Sequence, residues 1–150
     1  LIFVKIINMR KLYFLLCIFV VNLLLFFPLY GKDSKYFTDA KKLYQEKNFE
    51  DSKFLFEKDI VFNPKNEISY LYLAKIFEEK EDEVYEELNL NTVLLLNPKN
   101  EEAIYMLMQL KIKQSNFSAT KELLKKFNLV CVSICSKNKK IEKKLESLSP

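Results

Sequence analysis

The sequence predicts an all-α chain: about three helix–turn–helix pairs in tandem, closed by a C-terminal capping helix and preceded by an N-terminal signal or membrane helix. Three observations carry this. Asn63-Pro64-Lys65-Asn66-Glu67 returns letter for letter as Asn97-Pro98-Lys99-Asn100-Glu101, with Pro64 and Pro98 34 residues apart; that spacing suits a repeated pair of helices. Asn48-Phe49 recurs as Asn116-Phe117 at twice the interval. Between these marks the apolar residues recur with helical spacing.

Composition bounds the function. The 150 residues are 49% hydrophobic and 29% charged, which suits one folded domain with extensions. No His occurs, so no His-based triad, general base or metal ligand is expected. The single Gly, Gly31, leaves the rest of the chain without a phosphate loop or dinucleotide fingerprint. No carboxylate spacing matches a calcium loop. No catalytic residue, cofactor, metal or small-molecule substrate is therefore predicted. The net charge of +4 draws on Lys5, Arg10 and Lys11 in the acid-free residues 1–31, and the remainder holds 21 bases against 20 acids. Such a balance gives no attraction to nucleic acid.

In chain order, Met9-Arg10-Lys11 precedes an apolar run from Leu12 to Phe27, then Pro28-Leu29-Tyr30-Gly31 and a polar stretch. A basic start, an apolar run and a break form an export signal. Met9 is read as the true start. Residues 1–31 form either a cleaved signal peptide or a retained membrane anchor: the run makes a helix of about 24 Å against a hydrocarbon core of about 30 Å. Either way the domain faces away from the cytoplasm, periplasmic or anchored to the membrane.

The first repeat covers residues 33–66, with helix A over about Tyr36–Lys47 and helix B over about Glu50–Phe62. Asn48 is expected to take the left-handed turn between them. The second repeat covers 67–100, with Asn66 as N-cap, Glu67 in the first turn and helix B within Val84–Leu96. The third, degenerate repeat covers 101–134 and is capped by Asn100. After it, Ile134, Ile141, Leu145 and Leu148 share one helical face amid lysines. About Lys137–Ser147, within residues 135–150, is predicted to be a capping helix that shields the last apolar face.

Residue by residue, these repeats resemble the tetratricopeptide repeat (TPR) family. Its helix A aromatic corresponds to Tyr36, Tyr70 and Ile104, its Leu to Asp39, Leu73 and Leu107, and its small residue to Ala40, Ala74 and Met108. Its helix A Tyr corresponds to Leu43, Phe77 and Lys111. In helix B its Ala corresponds to Ser52, Glu86 and Thr120, its Phe to Phe56, Leu90 and Leu124, and its Pro to Pro64, Pro98 and Val132. The third repeat fits loosely. Glu86 is the worst departure, since a carboxylate should not enter the helix crossing. A turn of altered length near Asp82, or a splayed second pair, is expected to accommodate it.

The resemblance implies a short right-handed solenoid that binds a peptide or partner helix in a concave groove lined by helix A. The groove residues are then Phe37, Lys41 and Tyr44, Leu71, Lys75 and Glu78, and Tyr105, Gln109 and Ile112. Phe37, Leu71 and Tyr105 form an apolar row beside a Lys41–Lys75 row, which either suits a ligand with some acidic character or packs against neighbouring helices. Glu78 to Glu87 form an acidic patch opposed only by Lys80. It is read as a solvated turn, a docking site for a basic partner or a weak cation site. Cys131 and Cys135 would lie within disulfide reach on a helix and out of reach on a strand. They are read as buried small residues or as a disulfide. The expected function is a non-enzymatic protein-interaction adaptor of the cell envelope. The alternative is a structural subunit of a membrane-associated envelope assembly. The membrane enters as a partner if residues 1–31 are retained.

Overall fold

A computed structural model of the chain describes residues 34–148 together with Leu16, Ile18 and Phe19. The predicted signal or anchor, these three residues apart, lies outside the described residues. No described helix is long and apolar enough to cross a membrane.

From Ser34 onward the described residues are all-α. The helices are α1 (Lys35–Gln45), α2 (Phe49–Phe62), α3 (Glu67–Glu79), α4 (Glu83–Leu96), α5 (Glu101–Lys113), α6 (Phe117–Val130) and α7 (Asn138–Leu148), with a 3-10 turn at Cys135–Lys137. They pack as hairpins, α1 on α2, α3 on α4 and α5 on α6, and each second helix also packs on the first helix of the next pair. Three apolar clusters follow. Phe37, Ala40 and Phe56 meet Leu73, Ile76 and Phe77 of α3. Leu71, Ala74, Leu90 and Val93 meet Ala103, Met106, Leu107 and Leu110 of α5. Ile104, Tyr105, Met108, Ile112 and Phe127 meet Ile141 and Leu145 of α7. Each cluster joins a hairpin to the first helix that follows. The helix α7 thus stands where a fourth hairpin would begin, and its remaining charged face closes the stack.

The hairpin turns repeat with the chain. Lys47, Glu81 and Ser115 have φ of 59°, 58° and 57°. The left-handed residue therefore precedes the predicted one. Asn48 has φ −82° and serves as N-cap of α2, accepting a hydrogen bond from the amide of Asp51. The same closure recurs three times: the amides of Lys47 and Asn48 reach the carbonyls of Tyr44 and Leu43, those of Glu81 and Asp82 reach Glu78 and Phe77, and those of Ser115 and Asn116 reach Ile112 and Lys111. This is the Schellman arrangement, in which Gly usually takes the left-handed position. A side chain there costs about 1–2 kcal/mol, partly offset by the chain entropy that Gly loses on folding. Lys47→Gly or Ser115→Gly is expected to raise stability by about 0.5–1 kcal/mol, read as a higher urea midpoint at unchanged slope.

Equal turns also dispose of both expectations about Glu86. The α3–α4 turn has the length of the others, and this pair packs at least as closely as α1 with α2. Glu86 nevertheless lies in the crossing, 4% exposed, where Ser52 and Thr120 are fully buried in the other pairs.

The repeated string plays a different part at each occurrence. In the first, Asn66 does not cap α3 with its side chain. Its Nδ2 donates instead to Asp59 Oδ2 at 2.7 Å and to Ser69 Oγ at 3.1 Å. Asn63 Nδ2 donates to Asp59 Oδ1 at 2.9 Å. In the second, Asn97 Nδ2 donates to Glu67 Oε1 at 3.2 Å, while Asn100 caps α5 through the amide of Ala103 at 3.0 Å. The third joint has no Pro. There the Glu101 carboxylate accepts from the amides of Val132 at 2.8 Å, Ser133 at 3.0 Å and Ile134 at 2.9 Å. These bonds, that from Ile134 foremost, hold its pKa below the usual carboxylate range.

Cys131 and Cys135 are joined by a disulfide across this joint, with Cα atoms 5.3 Å apart. Closing so short a loop restricts the unfolded chain by about 2 kcal/mol. Reduction, or Cys131→Ser with Cys135→Ser, is expected to lower stability by about that amount. The loss should appear first as faster amide exchange in α7.

Candidate functional site

The first helix of each pair, α1, α3 and α5, carries the residues predicted to bind a partner. The structure divides them. Phe37, Leu71, Tyr105 and Ile112 are at most 7% exposed. The predicted apolar row is therefore packing between helices, not an open lining. Phe37 meets Phe56 and Tyr72 edge-on, with ring centroids 5.9 and 6.4 Å away. Leu71 belongs to the second apolar cluster. Tyr105 lies against Phe127 at 6.5 Å, with Lys137 Nζ of the 3-10 turn 4.7 Å from its ring.

Lys41, Tyr44, Lys75, Glu78 and Gln109 remain accessible to differing degrees. The two lysines are one period apart but not equivalent. Lys75 Nζ bonds Glu102 of α5 at 2.8 Å and lies 5.1 Å from the Tyr72 ring. One period earlier the place of Glu102 is taken by Ile68. Lys41 has no ion pair among the described residues and lies 5.4 Å from the Phe37 ring. Tyr44 packs on Phe49 at 5.5 Å and Tyr72 at 5.0 Å. Burial first, then the charge of Glu79, raises the Tyr44 pKa, with Glu78 and Glu102 adding to it. Three carboxylates thus approach the middle of this face. The row expected to attract acidic groups carries one neutralised Lys and an acidic neighbourhood.

The acidic patch is also more paired than expected. Lys80, its supposed counter-ion, bonds Glu50 of the first repeat at 2.5 Å. Counter-ions come instead from α5: Lys111 bonds Glu87 at 2.6 Å and Lys113 bonds Glu83 at 2.9 Å. Hydrogen bonds from these lysines lower the pKa values of Glu87 and Glu83. Glu78 and Glu86 behave oppositely. Burial first, then Glu79, raises the Glu78 pKa. Burial first, then the charge of Glu78, pushes Glu86 up to about 7. Both line an open cleft of about 360 Å³ with Gln109, Leu110, Ile112 and Lys113 of α5 and Lys144 and Leu148 of α7. Sequence reasoning flagged Glu86 as a misfit in the crossing and as one member of the acidic patch, whose readings included a docking site for a basic partner. Its signal was that misfit combined with Glu78 one helical turn before the hairpin.

No protein-family model matches the sequence, and no curated protein matches it. Solved structures do match. The first TPR of Spaghetti (RPAP3), bound to an HSP90 peptide, superposes with a TM-score of 0.68 at 11% identity, covering 77% of this chain and 94% of that one. The Yersinia enterocolitica type III secretion chaperone SycD, in complex with a peptide of the translocator YopD, gives 0.66 at 11% identity over 75% of this chain and 88% of that one. The Sgt2 TPR domain from Aspergillus fumigatus gives 0.64 at 14% identity over 75% and 78%. These likenesses establish that the chain has the tetratricopeptide-repeat fold.

Proposed function

We propose that this chain is a non-enzymatic protein-interaction module that holds a peptide or partner helix in the groove lined by α1, α3 and α5. One observation carries the reading: side chains from successive first helices, Lys41, Tyr44, Lys75, Glu78 and Gln109, share one face with an open cleft at its far end. The similar folds of RPAP3 and SycD each hold a peptide, which supports it. We further propose an exported location, periplasmic or tethered through residues 1–31. The disulfide supports this placement, because such bonds persist in oxidising compartments. In cells, Cys131 and Cys135 are expected to resist alkylation until a reductant is added; ready alkylation beforehand argues for a reducing compartment.

A second observation favours the structural-subunit reading. Val61, Leu95 and Leu129, one period apart near the ends of α2, α4 and α6, are 74, 81 and 86% exposed. A periodic apolar row in solvent is unusual for a monomer. A photo-crosslinking residue placed at Lys41 or Gln109, against one at Leu95 or Leu129, separates the two readings. The adaptor requires partner adducts from the groove positions. Adducts from Leu95 and Leu129 alone assign the chain to an assembly through its opposite face.

A further inference from the structure

We infer that the cleft between α3, α4, α5 and α7 takes a long cationic side chain, Lys or Arg, from the bound partner, with Glu86 at its floor and Glu78 at its wall as the counter-ions. The inference rests on the groove reading and specifies what the groove selects.

Glu86 is 4% exposed, and no hydrogen bond or ion pair holds its carboxylate among the described residues. A buried carboxylate left unpaired is costly, yet this one lines an accessible cleft. The cations nearby make no direct ion pair with it; the charge of Lys113 draws its pKa down, but by less than burial and Glu78 push it up. Lys113 is committed to Glu83 and Lys111 to Glu87. Lys144 lies exposed on the α7 side and makes no ion pair with Glu78 or Glu86. Glu83 and Glu87 of α4 already have partners, and of the acids of the hairpin only Glu78 and Glu86 line the cleft.

The rest of the lining suits the rest of such a side chain. Leu110, Ile112 and Leu148 offer an apolar wall for its methylene stem, and Gln109 a polar edge. The chemistry favours a cation that arrives on a chain over a bare metal ion, because no group of three or more metal-ligating residues occurs among the described residues. Much of the desolvation that penalises a buried ion pair has already been borne by Glu86 during folding. An arriving cation therefore gains the attraction at reduced cost. Without an occupant, burial keeps Glu86 half-protonated near neutrality; a bound cation draws it to the ionised form.

The test uses the full chain and short random peptides whose central residue is fixed as Arg, Lys, Glu or Leu. Arg- and Lys-centred peptides are expected to be retained about tenfold better than Glu- or Leu-centred ones. Glu86→Gln should remove that preference while Leu-centred retention stays as it was, and the helical signal should be unchanged. Equal retention of all four sets overturns this inference and leaves the groove standing. Retention of none overturns both. Preference for Glu-centred peptides assigns recognition to Lys41 and Lys144 instead. A basic preference that survives Glu86→Gln combined with Glu78→Gln places the cation elsewhere and sinks the proposal.

Discussion

Asp59→Ala is expected to cost about 2–3 kcal/mol of stability. Asp59 is fully buried near the end of α2. Its carboxylate accepts hydrogen bonds from Ser34 Oγ, from Asn63 and Asn66, and from Ser69 Oγ at 2.5 Å. These donors come from the start of α1, the inter-repeat turn and the start of α3. One carboxylate therefore ties both ends of the first hairpin to the second. Removing it leaves the buried Ser69 hydroxyl without its acceptor, while half-buried Ser34 and Asn66 and exposed Asn63 can turn to water. Repeats two and three carry Val93 and Phe127 one and two periods later. Asp59→Val nevertheless should not rescue the loss, because the donors would remain. Asp59→Asn, which keeps one acceptor, should fall between. Burial on its own would raise the Asp59 pKa, but the four hydrogen bonds outweigh it and hold the group below its usual value. Its stabilisation is thus fully present above the ordinary Asp pKa of about 3.9 and is lost as pH falls through the lower, folded value. Urea unfolding from pH 7 to pH 3 should show the wild type beginning to lose this increment and Asp59→Asn losing less. A flat difference between the two across that range would mean that the carboxylate's charge contributes nothing.

The helices and their order were legible because the Asn-Pro-Lys-Asn-Glu string fixed a period, and helical spacing filled the intervals. The left-handed turns were legible in place but not in residue. Lys47, Glu81 and Ser115 share no side-chain chemistry, so only the period marks them. Asn48 drew attention because Asn tolerates that conformation, yet its oxygen serves better as the cap of α2. The apolar row left two readings open, packing or ligand lining, for a related reason. Helical periodicity tells that Phe37, Leu71 and Tyr105 share a face. It does not tell how far the following first helix leans over that face, and here it covers the row. The lysine row failed because stacking depends on the neighbour one repeat on. Glu102 neutralises Lys75, while Ile68 gives Lys41 nothing. Asp59 could have been found. It is a carboxylate in an apolar periodic slot, four and seven residues before two Asn residues of the string.

Glu86→Gln is expected to do the opposite of Asp59→Ala and stabilise the chain, by about 2 kcal/mol at pH 8. Both residues are largely buried, but Asp59 has four donors, whereas Glu86 has none among the described residues and opens to the cleft. For Glu86 the folded pKa, about 7, stands above the ordinary Glu value. Between pH 4.5 and 7 the folded chain therefore holds a proton that the unfolded chain has released. Stability falls as pH rises through this window, and by about pH 8 the penalty of about 3 kcal/mol is complete. A neutral amide escapes the charge but keeps about 1 kcal/mol of its own desolvation cost, which sets the net gain. Below pH 4.5 both states of the wild type are protonated, and Gln should there be the less stable by about that 1 kcal/mol. Urea midpoints for the two proteins at pH 4 and pH 8 measure this directly. A gain of the same size at both values would assign the effect to packing in the helix crossing, and no gain at pH 8 would mean that the carboxylate is already partnered. Such a loss, at a slot that Ser52 and Thr120 fill without charge, would mean that Glu86 is kept for something other than folding, and the open cleft above it is the proposed use.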